Sequence, residues 1–243
     1  MIKFFRKIRQ KLIEQSKVRS YLLYAIGEVI LVVIGILIAL QINNWKEKKT
    51  DRLIEQKILN SLLIDINADI ETITYMIEGD SLLVESNKRL IAILKNEQSE
   101  YSSDFEEMFG EMNRYDTFYP NNLGYESLKS KGLLIVKNDR LKLLIINLYD
   151  YHYPNIADIV DLKKQLFLNT NLIFNKYLET KTEVQNVQSR FPNDFNALKT
   201  NTEFINTLTN LTAEQSLYIG INKFTLEVMK NTSFLIKKEL LND

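Results

Sequence analysis

The sequence predicts an all-α protein, an N-terminal transmembrane helix that continues into an exported helical bundle. Three observations carry this expectation. Residues 21–42, YLLYAIGEVILVVIGILIALQI, are almost continuously apolar, with Glu28 as the one charge. Apolar residues then recur at spacings of three and four through much of the chain, the period of a helix with one buried face. Proline occurs only 3 times and glycine 7 times in 243 residues, so few positions interrupt a helix.

As a helix, residues 21–42 span about 33 Å, enough to cross a hydrocarbon core of about 30 Å. A cleaved signal peptide has a shorter apolar core that ends in small residues shaped like A-x-A. Here the run ends in Ala39-Leu40-Gln41-Ile42-Asn43-Asn44-Trp45, which reads as an uncleaved anchor. Lys3, Arg6, Lys7, Arg9, Lys11, Lys17 and Arg19 precede it against Glu14 alone. The cations that follow are mixed with Glu47, Asp51 and Glu55. That asymmetry predicts an N-terminus in the cytoplasm and export of the remainder.

Three segments follow. Residues 1–20 form a basic amphipathic segment in the cytoplasm, with Ile2, Phe5, Ile8, Leu12 and Ile13 at helical spacing. Its expected partner is anionic lipid, the other reading being a protein. Residues 21–42 are the membrane helix, and residues 43–243 the exported helical domain. Within the span, Gly27, Gly35 and Ala39 form a stripe of small residues beside Glu28. Small residues let helices approach closely, so these four are the candidate self-association face. A passive, lipid-facing anchor is the alternative; a single helix cannot enclose an ion path.

Beyond the anchor, Leu53, Ile54, Ile58, Leu62, Ile66, Ile70, Ile73 and Ile77 continue a helical stripe without a breaker. One helix is therefore expected over residues 20–78, stopped by Gly79-Asp80, with a return helix over 81–96. In residues 101–119, Phe105, Met108, Phe109 and Met112 fall on one side. Tyr125, Leu128 and Lys129 suit a short helix closed by Gly132 in a left-handed conformation, and Asn138 suits the N-cap of the next. Pro154 fits the first turn of a helix running to about Thr180. Thr212-Ala213-Glu214-Gln215 resembles a capping box, opening a last helix whose Leu217, Ile221, Phe224, Val228 and Leu235 share a face.

AIGEVILVVIGILIALQINNWKE, preceded by MIKFFRKIRQKLI, resembles the N-terminus of a large, functionally uncharacterised family of single-pass membrane proteins from Bacteroidota. GYESLKSKGLLIVKNDRLKLLIINLYDYH resembles that family's second signature. The resemblance implies a signal anchor and a helical exported domain, with no activity attached. It also implies a Gram-negative envelope, hence an inner-membrane anchor and a periplasmic domain.

Composition removes several function classes. There is no cysteine, so disulfides, thiolate metal sites and a Cys nucleophile are excluded. His152 is the only histidine, and between tyrosines it reads as packed or capping rather than catalytic. The formal net charge is +0, which gives no support to nucleic-acid binding. Neither a nucleophile elbow nor a phosphate-cradling loop occurs. Carboxylates pair at Asp65 and Asp69, cluster at Glu106, Glu107 and Glu111, and pair at Asp158 and Asp161; each reads as a solvated helix face rather than a cation site. No metal site and no cofactor is expected. Tyr115, Phe118, Tyr149 and Tyr153 are the candidate ligand or partner aromatics. An enclosed cavity at them would favour a ligand-binding sensor that signals through a partner. A solid core with an exposed apolar patch favours the first reading, a non-enzymatic envelope protein acting on itself or other envelope proteins.

Overall fold

The computed structural model describes residues 18–182 and 188–241. Its chain divides into two compact units, residues 1–55 and 56–243. The longest helix, α1 (Val18–Lys95), contributes to both. Of the basic amphipathic segment expected over residues 1–20, residues 1–17 lie outside the described residues.

In the first unit, α1 is the one helix among the described residues long and apolar enough to cross a membrane. Its apolar side chains stand exposed, Leu31 at 70%. Gly27 and Gly35 have open space where a Cβ would stand, so none of the described residues covers them. After the apolar run, Lys49 Nζ lies 5.6 Å from the Trp45 ring centroid, and Arg52 pairs with Glu55 at 2.6 Å.

The second unit is almost entirely helical. Most of the expected stripe on α1 is its inward face: Ile58, Leu62, Ile66, Ile73 and Ile77 are buried and Ile54 and Ile70 half-buried, whereas Leu53 is 51% exposed. The helix does not stop at Gly79-Asp80, nor does a separate return helix follow; α1 runs on to Lys95. Met76 and Ile77 before the glycine and Leu83 and Val84 after it are held in the core. That burial outweighs the cost of about 1 kcal/mol for one mid-helix glycine.

The chain returns through α2 (Phe105–Glu111), where Phe109 is buried as the spacing predicts, and through α3 (Leu123–Lys131). Gly132 then has φ 93° and ψ 135°, a positive φ but not the left-handed helical cap the sequence suggests. Side chains other than glycine seldom take that conformation. A turn of 3-10 helix (Leu133–Ile135) leads to α4 (Asp139–Asn147), capped as expected by Asn138, whose side chain accepts from the Leu141 N–H. A π turn (Leu148–His152) joins α4 to α5 (Tyr153–Phe174), which has Pro154 in its first turn.

Helix α5 ends short of Thr180, because residues 178–182 belong to a β-hairpin that the sequence pattern does not announce. Strand β1 (Leu178–Thr182) pairs antiparallel with β2 (Gln188–Pro192), Leu178 opposite Pro192 and Thr180 opposite Arg190. Helix α6 (Phe195–Lys199) follows, then α7 (Thr202–Leu241). The start of α7 corrects the expected capping box: Asn201 caps it by accepting from the Phe204 N–H at 2.9 Å. Thr212 lies mid-helix and donates to the Leu208 carbonyl.

On α7 the face shared by Leu217, Ile221 and Phe224 is not the buried one. Leu208, Leu211, Leu226, Met229 and Ile236 face the core together with Gln215, Asn222, Thr225, Thr232 and Ser233. Leu217 and Phe224 are instead 62% and 64% exposed. One end of the bundle is closed by an apolar cluster in which Phe109, Phe174 and Phe204 are fully buried, with Leu94 of α1 and Leu178 of the hairpin among its members.

Candidate functional site

Asp65 and Asp69 lie one turn apart on α1, and both are buried, at 9% and 1% exposure. This overturns the reading of that pair as a solvated helix face; Asp158 and Asp161 are exposed as expected. Asp65 Oδ2 accepts the Gly124 N–H at 2.7 Å. Gly124 is in the first turn of α3, where backbone N–H groups have no partner inside the helix. Asn122, the residue before α3, makes no side-chain cap. Asp65 thus caps α3 from another helix, and its charge suits that helix end. Asp69 receives the backbone and side-chain N–H groups of Asn121, the latter at 2.7 Å, and the Tyr153 hydroxyl at 2.8 Å.

The approach of α3 is very close. A Cβ on Gly124 would stand 2.6 Å from the Leu62 backbone nitrogen and 2.9 Å from Leu62 Cα. Only glycine permits this contact. Three tyrosines complete the junction. Tyr125 stacks on Tyr149 with centroids 4.4 Å apart, Tyr149 meets Tyr153 edge-on at 4.9 Å, and the Tyr125 hydroxyl donates to Asp150 at 2.8 Å. Phe118 packs on Tyr153 at 5.9 Å. The π turn adds one residue between α4 and α5 at the point where Tyr149 and Tyr153 enter this stack.

Burial raises the Asp69 carboxyl above its ordinary 3.8, opposed by the bonds from Tyr153 and Asn121 and assisted by the Asp65 charge. Folded Asp69 therefore holds its proton more tightly than unfolded Asp69. Stability is expected to fall as pH rises from about 3.8 through the folded value, and to level off above it. A carboxyl-carbon NMR titration checks this: the Asp69 midpoint lies above 3.8, and a midpoint at or below it removes the argument. Burial and the Asp65 and Asp69 charges likewise push the Tyr149 phenol up, and its buried hydroxyl has no hydrogen-bond partner among the described residues.

The candidate aromatics are not one group. Phe118, Tyr149 and Tyr153 share the junction and are buried. Tyr115 packs on Phe167 at 5.3 Å and helps to line a cavity of about 10 Å³, together with Asp80, Lys163 and Gln215. That is room for about one water. Two larger hollows are open surface grooves on either side of the exposed Leu82, about 310 Å³ towards Met108 and Arg114 and about 630 Å³ towards Lys223. None of the four aromatics lines either groove. His152 is buried against Tyr151 and Phe224, its Nε2 lies 3.2 Å from Asn147 Nδ2, and burial lowers its pKa. No group of three or more His, Cys, Asp or Glu side chains among the described residues is placed to hold a metal ion.

A second polar layer is legible in the sequence pattern at one residue, Lys163. Lys163 Nζ meets Asp80 Oδ2 at 2.5 Å with both side chains 5% exposed. Asn87 donates to the Met112 carbonyl and to Gln215, which itself donates to the same carbonyl. A sequence signal for Lys163 does exist: it follows Ile156 and Ile159 on the inward face of α5, where a lysine needs a buried partner.

Fold and site together define a helical bundle joined to one apolar N-terminal helix of membrane-spanning length, with buried Asp65, Asp69 and the Asp80–Lys163 pair fastening α1 to the segments packed on it. Residues 28–216 match the family described as "Family of unknown function (DUF6090)", and the chain belongs to that family. The matched region takes in Asp65, Asp69, Gly124, Tyr149 and Tyr153. No curated protein and no solved structure matches the chain.

Proposed function

We propose that the protein is a single-pass, non-enzymatic envelope protein whose exported bundle works by contacting other proteins. The observation that carries this reading is the inverted face of α7. Leu217, Ile221 and Phe224 point to solvent at 62%, 42% and 64% exposure while Gln215 and Asn222 point inward. Three large apolar side chains on successive turns of one exposed face are the pattern of a protein contact. The burial of Phe118, Tyr149 and Tyr153 among themselves supports the same reading over a sensor pocket.

The cation excess before residue 21 supports a cytoplasmic N-terminus and an exported bundle; the resemblance to the Bacteroidota family would make these an inner-membrane anchor and a periplasmic domain. The stripe of small residues beside Glu28 supports self-association through the Gly27, Glu28, Gly35 and Ala39 face. The partners are then a second copy or other envelope proteins.

A photocrosslinking residue placed at Phe224 in intact membranes is expected to give a discrete adduct, with none from the exposed Lys237. A periplasm-active reporter fused after Asp243 is expected to be active. Equal crosslinking from both positions removes the contact face, and a reporter active only in the cytoplasm reverses the topology.

A further inference from the structure

The outward side of α1 carries a seven-residue repeat that the core does not use. Ile64, Ala68, Tyr75 and Leu82 lie on one stripe with Glu71, Glu78 and Glu85, and all seven are exposed. Spacings of three and four keep the stripe on one side of the helix for about six turns. Its large apolar members stand well clear of the bundle, Ile64 at 71% exposure and Tyr75 and Leu82 at 74% each. Between Lys57 and Lys88 the helix has no lysine or arginine. Its aspartates in that stretch, Asp65, Asp69 and Asp80, are buried and bonded inward. The exposed charges there are therefore the three glutamates, one every seventh residue. Leu82 also stands as a ridge between the two surface grooves. The smaller has Glu107 and Glu111 beside Arg114, and the larger has Glu78 and Glu85 beside Lys223. Acid outweighs cation on both sides of the ridge, and Arg114 is already paired with Glu111 at 3.0 Å.

We propose that this stripe docks a helix of a partner protein, one whose apolar face is edged with lysine or arginine. A seven-residue apolar repeat is what two helices need to stay in register along a shared seam. Leu82 enters between side chains of the incoming helix, and apolar side chains of that helix enter the grooves on either side. Cations at its edge meet Glu71, Glu78 and Glu85 at matching intervals. A second copy of the chain fits poorly: it would bring three more glutamates to a seam where α1 has no cation, and like charges set against one another select against that pairing. The proposal rests on reading the bundle as a contact module and adds a second face to it, apart from the Leu217, Ile221 and Phe224 face.

The test is binding of two synthetic amphipathic helices, each of about three heptads, to the full chain in uncharged detergent, measured by fluorescence anisotropy. Both have leucine and alanine on one face; lysine edges that face in one helix and glutamate in the other. The lysine helix is expected to bind about tenfold more tightly than the glutamate helix. Glu78→Lys with Glu85→Lys is expected to reverse that preference. Leu82→Gln is expected to weaken the lysine helix about fivefold or more, because the ridge loses its apolar contact. All three side chains are exposed, so the variants are expected to melt with the parent protein. Equal binding of the two helices overturns the proposal, as does a preference that survives the charge reversal or undiminished binding to Leu82→Gln. A homodimer captured by a photocrosslinker at Leu82 overturns it as well. None of these measurements involves Phe224. If they fail, the adduct expected at Phe224 still stands, and if that adduct is missing while the lysine helix binds, the α7 face alone is lost.

Discussion

Gly124→Ala is expected to lower the stability of the exported bundle by about 3 kcal/mol. The added methyl would stand 2.6 Å from the Leu62 nitrogen, and backbone atoms inside a long helix cannot move aside as a side-chain tip can. Helix α3 must therefore lift from α1. Lifting it stretches the 2.7 Å bond from the Gly124 N–H to Asp65 and leaves a buried carboxylate short of its donor. It also draws Tyr125 from its stack on Tyr149. Gly220→Ala supplies the comparison. That glycine lies within α7, and a methyl added there would have nothing within 4 Å, so alanine should stabilise by up to about 1 kcal/mol. Denaturant unfolding followed by far-UV circular dichroism measures both. Similar, small effects of the two substitutions would show that the α1–α3 approach is not tight.

What the sequence makes legible here is whatever depends on near neighbours along the chain. The α1 stripe from Ile58 onward, the Asn138 cap and the apolar side of residues 105–112 are set by spacings of three and four, and the structure places them accordingly. The errors share a different cause. Gly79-Asp80 looks like a stop because Asp80 looks solvated, yet its partner Lys163 is 83 residues away. Asp65 and Asp69 look like a wet face because Gly124, Asn121 and Tyr153 are 52 to 84 residues away. The case of α7 is sharper. Its apolar residues 217, 221 and 224 form a regular stripe, and periodicity finds the stripe without telling which side faces the core. Inside the bundle, Gln215 bonds with Asn87, and Ser233 donates to Asn67 at 2.8 Å. Those long-range bonds let polar residues share the buried face with Leu208, Leu211, Leu226, Met229 and Ile236. The hairpin is hidden for a further reason: Leu178–Thr182, LETKT, is short and polar, and cross-strand pairing sustains it more than its own pattern.

Lys163→Met is expected to destabilise the bundle by about 3–5 kcal/mol, because it strands Asp80 as an unpaired charge in the core. The pair is 5% exposed on both sides, and the cavity beside it holds about one water, too little to hydrate a carboxylate. Asp80→Leu should cost a similar amount by stranding the ammonium group. The informative variant is the double one. Leucine is close in shape to aspartate and methionine to lysine, so Asp80→Leu with Lys163→Met fills the same space with no charge to desolvate. Its stability is expected to return to within about 1 kcal/mol of the parent protein, or to exceed it. A coupling of that size means that the ion pair fixes how α5 lies on α1 without adding net stability. It would also explain how one helix tolerates a glycine and an aspartate side by side in its middle. Additive losses in the double variant would mean instead that each side chain has separate partners, and that the 2.5 Å contact is not what holds α5 in register.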